Sequence, residues 1–67
     1  MEFEEKVIKR LTHWMEHNEK HAQEYTKLAQ ELLENGYEGA SKHVLSLATI
    51  SQEMNREIEK ALDEIKR

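Results

Sequence analysis

Three histidines carry most of the chemistry this sequence can offer. They stand at i, i+4 and i+8 in the run His13-Trp14-Met15-Glu16-His17-Asn18-Glu19-Lys20-His21. On a helix, residues four apart share a face, so two imidazoles at this spacing can converge on one divalent ion about 2.0–2.1 Å from each nitrogen. His13 and His21 are separated by about 12 Å along a helix axis, too far to close on a single ion. The workable pairs are therefore His17 with His21 and His13 with His17, each finished by a ligand from another helix. Imidazole nitrogen suits zinc, nickel, cobalt or copper, and affinity order alone does not choose among them. The stripe His13, His17, His21 is accordingly the expected metal site.

Oxygen donors for such a site are few. Glu24 lies three residues beyond His21 on the same helix. If the chain folds back near Gly36 and Tyr37, the level of His17 and His21 meets Glu53, Met54, Asn55 and Glu57, and of these Glu57 is best placed as a ligand or as an acceptor for an imidazole N–H. His43 falls opposite Glu31 and stands apart from the stripe. A second reading of the same residues is structural. Asn18, His21, Ser51 and Asn55 recur at one height on the apolar seams, as a polar layer would, and buried polar groups of this kind can set register and oligomeric state.

Enzymatic machinery is not expected. The chain has no cysteine, no Gly-rich phosphate loop and no strained nucleophile turn. The Glu-x-x-His pattern of di-iron bundles is also missing, since no Glu lies three residues before any His. No catalytic or organic-cofactor residue is assigned.

The elements that must position the histidines follow from hydrophobic spacing. Val7, Leu11, Trp14, Asn18, His21, Tyr25, Leu28 and Leu32 alternate steps of four and three, and Ile8, Met15, Ala22 and Ala29 form a stripe beside them. This predicts a helix over about 3–35 with a face wide enough for a bundle. The pattern returns at Ala40, Val44, Leu47, Ser51, Met54, Ile58, Ala61 and Ile65, widened by Ala48, Asn55 and Leu62, and predicts a second helix over about 39–66. Both glycines lie in Asn35-Gly36-Tyr37-Glu38-Gly39, so the turn falls at 35–39 and residues 1–67 form one helical-hairpin domain. Ser41 is a candidate N-cap, with Tyr37 and Glu38 as alternative starts. The fold class is all-α: an antiparallel two-helix hairpin.

Length and composition then imply association. A core in a 67-residue chain rarely supplies more than about 3–5 kcal/mol without staples, and disulfides or thiolate zinc sites are excluded by the lack of cysteine. Each apolar face is wider than one helix can cover, which points to a homodimer forming a four-helix bundle. The net charge of -4 argues against nucleic acid, which is bound through clustered Lys and Arg. No window is apolar enough for a membrane span, and the residues after Met1 are charged rather than signal-like, so a cytoplasmic protein is expected.

The run of His13, Trp14, His17, Asn18 and His21, followed by a short Gly-containing turn and a second helix, resembles small prokaryotic histidine-rich helical-hairpin domains of unknown function. The resemblance spans most of the chain and implies an all-α hairpin, with metal handling by His13, His17 and His21. The functional expectation is a small metal-binding or metal-responsive bundle protein. The alternative is a structural or adaptor bundle that engages a protein partner, its histidines serving only the polar layer.

Overall fold

A computed structural model describes residues 2–67. It is all-α, with α1 over Glu2–Glu34 and α2 over Glu38–Lys66, packed against each other as a hairpin. The helices start and stop within a residue of the expected limits, and the reason lies in the turn. Gly36 takes φ 87, in the left-handed region where a Cβ is disfavoured. That conformation turns the Gly36 N–H to the Leu33 carbonyl at 3.2 Å and the Tyr37 N–H to the Leu32 carbonyl at 2.8 Å. These two bonds form a Schellman cap, which satisfies carbonyls that helix termination would orphan. The Asn35 side chain adds a bond to the Glu31 carbonyl at 2.8 Å. α1 therefore ends at Glu34, one residue earlier than its hydrophobic spacing suggests.

Ser41 does not cap α2. Tyr37 occupies the N-cap without a side-chain bond, and its carbonyl accepts the Ser41 backbone N–H at 2.9 Å. The Ser41 hydroxyl is buried and donates instead to the Ala29 carbonyl of α1 at 2.6 Å. Contact between a side chain as short as serine and the opposite backbone requires the helices to run close together here. Small residues permit it: Ala22, Ala29, Ser41, Ala48 and Ser51 are buried along the joint. Among the described residues Leu62 is the one large side chain buried to this degree, toward the open end.

These buried positions identify the inner seam. On α1 the buried and half-buried residues include Ile8, Leu11, Met15, Asn18, Ala22, Tyr25, Ala29 and Leu32, in steps of three and four. On α2 they include Ser41, Val44, Ala48, Ser51, Asn55, Ile58, Leu62 and Ile65, with the same steps, and Ala61 beside Leu62 is half-buried too. The Ile8, Met15, Ala22, Ala29 stripe thus faces α2, while the Trp14 and Leu28 stripe beside it lies outside the joint.

The result is a rod with Cα extents of 53 × 14 × 10 Å and a radius of gyration of 15.5 Å, against about 11 Å for a compact globule of this length. Among the described residues no helix is long and apolar enough to cross a membrane.

Adding a Cβ at Gly36 meets no neighbouring atom, so only its positive φ opposes substitution. Gly36→Ala is expected to destabilise the fold by about 1–2 kcal/mol, with Gly39→Ala as the neutral or stabilising control. Urea denaturation of both variants at one protein concentration measures the difference.

Candidate functional site

The histidine stripe runs along α1 as a ladder of rings. The His13 and His17 ring centres are 5.7 Å apart and tilted by 44°. His17 and His21 are closer, at 4.8 Å with their planes inclined by 66°. Tyr25 continues the series, stacked on His21 at 5.8 Å and 16°. Helical geometry alone produces this ladder, since each step of four residues advances about 6 Å along one face.

Glu24 reaches the stripe. Its Oε1 lies 3.0 Å from His21 Nδ1, so an imidazole protonated at Nδ1 donates to the carboxylate and leaves Nε2 free. Both side chains stay partly open to solvent, at 43% and 58% exposed. Glu57, expected opposite the histidines, instead pairs with Lys60 at 3.0 Å on the exposed surface of α2. Its position on the helix wheel aims it away from the joint. Among the described residues no three His, Cys, Asp or Glu side chains gather as a group able to hold a metal ion. Within one chain, then, His13, His17 and His21 form a row without a third ligand from α2. His43 is exposed near the start of α2.

The polar layer is real in part. Asn18 Nδ2 donates to Asn55 Oδ1 at 3.0 Å across the joint. Asn55 Nδ2 in turn donates to the Met15 carbonyl at 3.0 Å. Ser51 is buried one turn away. His21, expected in this layer, is half-buried and pairs with Glu24 of its own helix rather than with Asn18 or Asn55.

The two broad sides of the hairpin differ sharply. One carries a groove lined by His13, Trp14, His17, Asn18, Met54 and Ile58. On this side Trp14 is 50% exposed and Met54 48%, and Leu28, Leu47 and Ile50, at helical spacing from them, are similarly open. The opposite side carries a groove bordered by Glu19, Gln23, Lys27, Gln52 and Glu59, and Leu33 and Leu45, about half exposed, stand at heptad spacing from Glu19 and Gln52 on that side. Trp14 and Met54, on the apolar seams of the sequence, lie outside the joint of the two helices. A signal was present: the small residues Ala22, Ala29, Ser41 and Ala48 mark the stripe that admits a close helix, leaving the neighbouring stripe of larger side chains outside.

A family model for a domain of unknown function, DUF8180, matches residues 7–65, which include most of both helices and all of His13, His17 and His21. No curated protein and no solved structure matches the chain.

The Asn55 amide serves two partners and Asn18 one. Asn55→Ala is therefore expected to cost about 1–3 kcal/mol and Asn18→Ala less, because the latter leaves the Asn55 bond to Met15 in place. Denaturant titration of the two single variants and the double variant checks the order, and equal losses would contradict it.

Proposed function

The chain belongs to the DUF8180 family of domains of unknown function, and on the premise of its fold we propose that it acts as a self-associating helical module, two copies packing as a four-helix bundle. The observation that carries this reading is the exposed apolar side made of Trp14, Leu28, Leu47, Ile50 and Met54. A lone apolar residue at the surface is ordinary, but five large ones on one side of a hairpin mark an interface.

Area supports a second copy as the occupant. The chain exposes 5643 Å². A folded monomer of 8.0 kDa exposes about 4,450 Å² by the usual scaling. The excess, about 1,200 Å² per chain, exceeds the 800 Å² or so that each partner contributes to a standard interface and suits an obligate homodimer. A hairpin whose own buried apolar residues are Ala22, Ala29, Ala48 and Leu62 also lacks the core to stand alone. Face-to-face packing would cover the Trp14 and Met54 side in both copies and turn the side with Glu19, Lys27 and Glu59 outward.

In this assembly the module is an adaptor or scaffold, and the outer groove with Glu19, Lys27 and Glu59 is the surface left for other proteins. Dimerisation is the part that can be tested directly. Light scattering and sedimentation equilibrium are expected to give twice the 8.0 kDa chain mass, with a melting temperature that rises with protein concentration. Met54→Glu should weaken association about 100-fold or more, since it removes apolar burial worth about 1.5–3 kcal/mol from each copy. Gln23→Glu, on the polar side, should leave the dimer intact. A wild-type monomer with concentration-independent unfolding would overturn the reading.

A further inference from the structure

We infer that a divalent transition-metal site forms where two copies of the chain meet, with His17 and His21 of one copy and the same pair of the second copy as its four ligands. This rests on the dimeric reading above.

The spacing of the rings is the first argument. A metal bound through an imidazole nitrogen sits about 3 Å from the ring centre, so two rings sharing one tetrahedral ion have centres about 5 Å apart. His17 and His21 stand at 4.8 Å, whereas His13 and His17 are wider at 5.7 Å. Helix geometry has set the His17 and His21 pair at chelating distance before any ion arrives.

The second argument is the Glu24 carboxylate, 3.0 Å from His21 Nδ1. Histidines that ligate metals commonly donate their other ring N–H to a carboxylate, which fixes the tautomer, orients the ring and makes the free nitrogen a better donor. Glu24 does this for His21 and directs Nε2 to coordination. Among the described residues no carboxylate stands in hydrogen-bond contact with His13 or His17.

The third argument is what the chain lacks. Zinc binds four ligands in a closed site, or three with a water, and among the described residues no three His, Cys, Asp or Glu side chains of one chain gather as a group able to hold an ion. The deficit is made good by symmetry. His17 and His21 straddle the middle of α1, which spans Glu2–Glu34, and His17 borders the groove beside Trp14 and Met54. When two hairpins pack on that side about a two-fold axis crossing the rod at its middle, α1 runs antiparallel to its own copy. Residues near the middle of a helix then face their own counterparts. His17 of each copy meets His21 of the other at one edge of the interface. Four neutral imidazoles surround the ion, and the two Glu24 carboxylates behind them offset its charge.

Zinc and cobalt, titrated into the chelator-treated full chain, test the inference. Calorimetry should show one zinc bound per two chains at micromolar affinity or tighter, and cobalt should give the visible bands of a tetrahedral nitrogen site. His17→Gln/His21→Gln should lose at least 100-fold in zinc affinity, and Glu24→Gln about 10–100-fold, with helical content unchanged by circular dichroism. If the double variant fails to fold, the stoichiometry and cobalt spectrum of the wild type decide alone. One zinc per chain, undiminished binding by the double variant, or octahedral cobalt would overturn the site. A metal-free dimer that ignores zinc overturns the site and leaves the dimer standing. A metal-free monomer that zinc converts to a dimer at one ion per two chains supports the site and overturns metal-free dimerisation.

Discussion

The close approach of the two helices governs the rest of the structure. Ser41 spans the joint to the Ala29 carbonyl at 2.6 Å, and Ala22, Ala48 and Ser51 continue the narrow seam. Small residues let two backbones near each other, but they bury little apolar area, and each deleted methylene forgoes about 0.8 kcal/mol of hydrophobic stabilisation. The seam therefore gives the hairpin a defined register without giving it a large core. Polar bonds reinforce that register: Asn55 ties Asn18 and the Met15 carbonyl together where mispairing by one turn would strand an amide in the joint.

Every outward feature follows from that narrowness. Since the small stripe takes the inside, the stripe next to it, with Trp14, His21 and Leu28 on α1 and Leu47 and Met54 on α2, is left on one broad side. The opposite side mixes Glu19, Gln23, Lys27, Gln52 and Glu59 with two exposed leucines, Leu33 and Leu45. The histidine ladder runs along the edge of the apolar side, where an imidazole can meet solvent, a carboxylate of its own helix, or a second copy.

Much of the fold was legible in the residues themselves. Steps of three and four marked both helices, and Gly36 marked the turn because no other residue tolerates its φ so cheaply. The candidate site was legible in outline: the i, i+4 spacing placed His13, His17 and His21 in a row, and the row is there with Glu24 beside it. The role of Ser41 was not legible, since a serine near a helix start reads as a cap by local rules and only the neighbouring helix offers it Ala29. The pairing of His21 with Glu24 rather than with Asn18 or Asn55, and the distance of Glu57 from the stripe, were likewise hidden, because both depend on the rotation of a helix about its axis.

That rotation separates what each level of description determines. The amino-acid sequence by itself determined two amphipathic helices, the place and handedness of the turn between them, the absence of disulfides, and a histidine row of chelating pitch. These are local properties of backbone sterics and residue spacing. Only the tertiary structure decided which of two adjacent stripes faces inward, because both repeat with the same period and differ only in the volume a second helix must accommodate. With that choice made, Trp14 and Met54 became surface, Asn18 and Asn55 became a cross-helix bond, and the histidines came to lie in a row along one edge of α1.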